Sequence, residues 1–227
     1  MGLTAQEKKS LPKWLEEVKS SSDLSDHAPV VGGLPGNLND KQFGAFAIIH
    51  NFIHEVLEKG LDNVPPLLLN ISGAAGTGKT FWLNTVKRFV RTVLHLDSAF
   101  ITAAAPSGTA AYLIGGETLH SLLYLPVGQT KLEKLQGDRL KDLQLRFKEV
   151  GILVIDEKSM IGQNIFYNVS ERLKQARPHA CDQPFEGLSV ILLGDWKQLP
   201  PDCDYPLYND KAKRPLGQIC TSFSRTP

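Results

Sequence analysis

A chain of 227 residues, 42% hydrophobic and 22% charged, makes one large or two small globular domains with a real core. A formal net charge of +1 excludes a global basic field, so any nucleic acid must be held by a local patch. Cys181, Cys203 and Cys220 are scattered and form no C-x-x-C pair, no apolar run nears the roughly 18 residues of a membrane span, and the N-terminus is polar; zinc, a disulfide framework, a membrane and a secretory signal are all disfavoured, and an intracellular, reducing compartment is expected.

In chain order, residues 1–37 read as a poorly ordered segment, with one short helix over 11–18 and loops over 20–23 and 32–37. Asn39 is a good N-cap and Gln42 completes a capping box. Phe46, Ile49, Phe52, Ile53, Val56 and Leu57 then mark one face of a helix that stops at Gly60. His50 and His54 stand four apart on it, a metal-ligand spacing without a third ligand nearby, and are read as ordinary imidazoles.

An apolar run over 67–72 leads into Gly73, Ala74, Ala75, Gly76, Thr77, Gly78, Lys79 and Thr80, followed by a helix-like pattern from about Phe81 through Leu83, Val86, Phe89, Val90, Val93 and Leu94. Strand, glycine loop and helix are the context that makes G-x-x-x-x-G-K-T a phosphate-binding loop. Its backbone N–H groups and the helix N-terminus suit phosphate, Lys79 suits the β/γ-phosphates, and the Thr80 hydroxyl suits Mg²⁺.

Residues 98–103 read as a short strand, ending in a turn at Pro106, Ser107 and Gly108. Ser107 caps a helix through Ala111 and Ile114, Gly115 and Gly116 break it, and Thr118 opens another short one. A loop over 126–137 and a surface helix over 138–148 follow. The apolar runs 151–155 and 188–193 read as buried parallel strands. Between them a helix runs through Ile161, Ile165, Val169 and Leu173. The first run ends in Asp156 and Glu157, the second in Gly194-Asp195-Trp196-Lys197-Gln198-Leu199-Pro200-Pro201. The expectation is an α/β fold with a mostly parallel central sheet flanked by helices, its functional residues at the C-terminal strand ends. Asp156 is placed to hold Mg²⁺, Glu157 to polarise a water, and Gln198 to touch a γ-phosphate. The plain alternatives are a helix-capping acidic pair and a turn glutamine.

The series 73–80, then 105–111 with 114–121, then 154–160, then 193–201 resembles motifs I, Ia with Ib, II and III of the PIF-type (petite integration frequency) DNA helicases of superfamily 1. The helitron and viral variety looks closest, and residues 38–42 resemble the adenine-reading Q motif. The resemblance implies a RecA-like P-loop NTPase domain over 38–208. It implies that Gln42 reads adenine, that Lys79 and Thr80 hold phosphate and Mg²⁺, and that Asp156 and Glu157 are metal ligand and catalytic base. Gln198 would couple γ-phosphate to DNA, while Pro106, Ser107, Gly108, Thr118 and His120 would lie along single-stranded DNA. ATP and Mg²⁺ are the expected cofactors. The implied activity is ATP-dependent 5′-to-3′ unwinding in DNA repair, recombination or telomere maintenance, in the nucleus or mitochondrion.

Three positions depart from the family pattern: Ser107 where Thr is usual, Trp196 where Phe is usual, and Lys158 where an apolar residue is commoner. Lys158 is read as a solvated helix residue. The tail 209–227, with Arg214 and Arg225, shows no pattern of a second RecA-like domain. The expectation is therefore a chain that binds ATP, hydrolyses it feebly and does not unwind alone, a second helicase domain or protein being a possible partner. A non-motor ATP-binding module and a small-molecule kinase are the alternatives.

Overall fold

The computed structural model describes residues 33–128, 132–178, 183–202 and 204–209. The helix expected over 11–18, all three cysteines, Arg214 and Arg225 lie outside them. The chain folds as two compact units, one from Met1–Gly60 with Gly78–Ser98, the other from Leu61–Thr77 with Ala99–Pro227.

The first unit pairs two helices. Helix α1, Asp40–Lys59, starts at a complete capping box: the Asn39 side chain accepts from the Lys41 and Gln42 amides, and Gln42 Oε1 accepts from Asn39 N at 3.1 Å. Helix α2 is Lys79–Thr92. Phe46, Ile49 and Ile53 of α1 and Trp82, Leu83, Val86 and Phe89 of α2 are buried; the Phe46 and Phe89 rings meet edge-to-face at 5.1 Å, a geometry aromatic quadrupoles favour. Two expectations fail here. Leu57 is 52% exposed, because the face narrows in the last turn. Helix α2 begins two residues before Phe81 and ends before Val93, which is exposed.

The second unit is built on strands β1 (Leu68–Ser72), β2 (Ile101–Ala105), β3 (Glu117–Thr118), β4 (Ile152–Ile155) and β5 (Ser189–Gly194). They form one sheet in the order β1-β5-β4-β2-β3, every pairing parallel. Every residue of β4 and β5 is buried, as central strands covered on both faces must be. Helices α3 (Gly108–Leu113), α4 (Leu119–Leu122), α5 (Gly137–Arg146) and α6 (Gln163–Ala176) complete the unit. Phe147, Phe166, Leu173, Phe185 and Leu192 lie in its core. The strand expected over 98–103 starts instead at Ile101, after a 3-10 turn, and β3 was not expected at all. No helix among the described residues is long and apolar enough to cross a membrane.

Candidate nucleotide site

Within the second unit, the parallel register gathers the C-terminal ends of four strands. Strand β1 ends at Ser72, and Gly73 N donates to Gly194 O at 3.3 Å, tying the start of the glycine loop to the end of β5. The loop closes on itself where Thr77 Oγ1 donates to Ala74 O at 2.8 Å. Residues 74–77 are exposed, open to a ligand.

Asp156 directly follows β4 and is buried, its amide donating to Ala104 O at 2.9 Å. Its Oδ1 is buried and has no hydrogen-bond partner. A carboxylate oxygen in that condition is costly unless a cation or water takes it, so Asp156 fits a hard divalent ion such as Mg²⁺. Glu157 stands in the left-handed region at φ 51, ψ 46 and makes no side-chain cap; helix α6 begins only at Gln163. Glu157 thus holds the N-cap position of a short 3-10 turn, Lys158–Met160, without a side-chain cap hydrogen bond. Gln198 sits in a turn closed by its own amide to Asp195 O at 3.0 Å, with Asp195 Oδ1 accepting from Lys197 N at 3.0 Å.

Pro106, Ser107 and Gly108 follow β2, and Thr118 pairs in register with Ala105, so these candidates share one corner of the sheet. Ser107 Oγ accepts from Ala110 N at 3.2 Å and Thr118 Oγ1 from Ser121 N at 3.1 Å. Both hydroxyls therefore act as N-caps. His120 is half-buried.

In the first unit, Gly78 takes φ 80 as the N-cap of α2, with Lys79 and Thr80 opening the helix. Gln42 Nε2 donates to Gly78 O at 3.4 Å, and Trp82 Nε1 donates to Gln42 O at 2.9 Å. Gln42 is thus a capping residue and a neighbour of the glycine loop at once.

Lys158 corrects its sequence reading. It is fully buried, and Nζ donates to Asn70 Oδ1 at 2.6 Å, Ile71 O at 3.1 Å and Ser72 Oγ at 2.5 Å. Nζ also lies 4.8 Å from the centre of the Trp196 ring. Arg172 was missed as well: buried in α6, it donates to the carbonyls of Leu123, Tyr124 and Glu133. A cavity of about 680 Å³, lined by Phe147, Lys148, Arg177, Glu186 and Gly187 among others, lies by the N-terminal ends of β4 and β5, away from all the motif residues of this unit. His50 is buried, and its ring lies 6.2 Å from that of His54.

A parallel sheet fed by a glycine loop, with an acidic pair at the end of a central strand, defines a RecA-like P-loop domain. The chain belongs to the PIF1-like helicase family, whose profile matches residues 38–214. It is 35% identical over 132 residues to the ATP-dependent DNA helicase RRM3 of Saccharomyces cerevisiae, covering 57% of this chain and 18% of that protein. It is 34% identical over 156 residues to the ATP-dependent DNA helicase PIF1 of Candida albicans, covering 68% and 16%. A Bacteroides Pif1 structure in complex with ADP-AlF3 and single-stranded DNA superposes with a TM-score of 0.52 at 30% identity, covering 70% of this chain and 33% of that one. The chain thus spans less than a fifth of the length of these two curated relatives.

Proposed function

We propose that these residues form the ATP-binding part of a DNA helicase, and that in the whole protein ATP turnover drives 5′-to-3′ movement along single-stranded DNA. The observation that carries the reading is the buried, partnerless Oδ1 of Asp156 at the end of β4. Thr80 and Asp156 are the residues we assign to Mg²⁺, which would neutralise phosphate charge. Lys79 and the amides of Gly73–Thr80 bind and orient the phosphates, Gln42 contacts the adenine, and Glu157 takes the proton of the attacking water. Gln198 contacts the γ-phosphate. Pro106, Ser107, Gly108, Thr118 and His120 line the DNA track, contacting sugar and phosphate and reading no sequence. The kinship to a helicase solved with nucleotide and single-stranded DNA supports this reading, and we place the whole protein's work in repair, recombination or telomere upkeep, in the nucleus or mitochondrion.

Calorimetry with Mg·ATP, and ATPase rates with and without single-stranded DNA, test it. Magnesium-dependent affinity lost in Lys79→Ala is expected, with DNA-stimulated turnover lost in Glu157→Gln. Nucleotide affinity that Lys79→Ala leaves unchanged would overturn the assignment. Binding without any DNA stimulation would leave a non-motor ATP module.

A further inference from the structure

We propose that Lys158 and Trp196 act as one positioning unit for the nucleotide site, a reading that rests on the ATP-binding function above. The ammonium sits under the point where β1 gives way to the glycine loop. Its three hydrogen bonds reach the last three residues of β1, Asn70, Ile71 and Ser72, and Ser72 is bonded covalently to Gly73. In the chain, Lys158 directly follows the Asp156–Glu157 pair and opens a short 3-10 turn, Lys158–Met160. Its fourth neighbour is the ring of Trp196, two residues before Gln198. One buried cation therefore joins the root of the phosphate loop, the acidic pair and the glutamine turn.

The packing around it leaves little slack. A Cβ on Gly194 would stand 2.9 Å from Lys158 N and 3.4 Å from Glu157 Cα, so β5 approaches this turn as closely as only glycine allows. Trp196 is in turn held edge-on by the Tyr208 ring at 5.6 Å. An ammonium removed from water is costly, and an apolar side chain of equal length would fill the space without that cost. What lysine adds is direction: three N–H donors that fix the Asn70 and Ser72 rotamers and the Ile71 carbonyl, and a charge that selects indole over a weaker ring. Two of the three motif positions that depart from the family pattern thus meet in one contact.

Lys158 and Trp196 touch no reacting atom in this reading; they act through β1, Glu157 and Gln198. The acceptors belong to residues of β1 that are half-buried or exposed, so they can turn to solvent water when the ammonium is replaced by an apolar group. This separates positioning from stability. In the 227-residue chain, Lys158→Met is expected to leave the melting temperature unchanged or higher while weakening Mg·ATP binding about tenfold, and Trp196→Phe to weaken it about threefold. The double variant is expected to bind no worse than Lys158→Met alone, since no cation is left for the ring to hold. Multiplicative losses in the double variant would overturn the proposal. So would wild-type affinity in Lys158→Met, or affinity that falls only in step with melting temperature. Should Lys158→Met not fold, Asn70→Ala carries the test, with about a threefold loss expected and unchanged affinity overturning the proposal. The wild-type and Lys79→Ala arms report separately on the nucleotide reading itself: if they fail, the function falls, whereas if they hold and the Lys158 arm fails, only the positioning unit falls.

Discussion

Gln42 closes on Gly78: its Nε2 lies 3.4 Å from Gly78 O, and a Cβ on Gly78 would stand 2.8 Å from that nitrogen. The glycine also holds φ 80, where a side chain costs about 1–2 kcal/mol. Gly78→Ala is therefore expected to lower stability by about 1–2 kcal/mol and to push the Gln42 amide aside. Gln42→Ala removes half of the capping box and is expected to cost about 1 kcal/mol. Because the two residues share a contact, the double variant should fall short of the sum. Urea unfolding of the four proteins measures this; full additivity would show that the contact carries no energy.

Glu157 holds φ 51 without being glycine. Such a residue stores about 1 kcal/mol of backbone strain, typically at a functional turn. Glu157→Gly is expected to raise stability by about 1 kcal/mol while abolishing ATP hydrolysis and sparing Mg·ATP affinity. Denaturant midpoint and turnover are read on the same preparation. A destabilised Glu157→Gly would mean that the side chain contributes more to the fold than the strain costs.

Sequence pattern made much of this architecture legible where burial is uniform. Strands β4 and β5 are unbroken apolar runs, and helix α1 announces itself by Asn39, Gln42 and a regular apolar face. Legibility fails where polar residues do structural work. Glu117 and Thr118 form an edge strand too short and too polar to show alternation. The first turn of α2, Lys79 and Thr80, lacks the apolar period that marks a helix. Lys158 reads as solvated because its three acceptors lie 86 to 88 residues earlier in the chain; only the fold brings them to it. The motif residues themselves were readable as strings, and Ser107 as a cap; what the structure adds is that Asp156 Oδ1 is buried without a hydrogen-bond partner and that Thr118 Oγ1 also caps a helix.

Arg172 makes the same point for stability. Its buried guanidinium donates to Leu123 O at 3.1 Å, Tyr124 O at 3.1 Å and Glu133 O at 2.7 Å, stitching the stretch after α4 to α6. Removing it strands the carbonyl of the buried Leu123, while Tyr124 is half-buried and Glu133 exposed, so the hub is worth about 2–3 kcal/mol. Arg172→Ala is expected to lose that much, and Arg172→Lys to recover little, because an ammonium cannot reproduce the planar fork. Thermal and chemical unfolding decide it; wild-type stability in Arg172→Lys would show that charge, not geometry, matters here.

His50 provides a pH signature for the first unit. It is buried against Phe46 and Phe89, and burial, aided by the neighbouring His54, outweighs a weak contact to Asn51 and lowers its pKa from 6.5 to about 4. A base whose folded pKa lies below its unfolded value takes up a proton on unfolding throughout the interval between the two. Stability from this group is therefore full at pH 7, declines as pH falls through about 6.5, and is lost by about pH 4. The loss amounts to about 2–3 kcal/mol. Replacing the imidazole with a group that does not titrate removes this dependence, together with its coupling to His54. His50→Leu is thus expected to be no more stable than wild type at pH 7 but to close the gap, or overtake it, at pH 4.5. Denaturation of both proteins at the two pH values measures the difference of differences. An equal acid loss in both would mean that the His50 ring is reached by water and titrates like a surface imidazole.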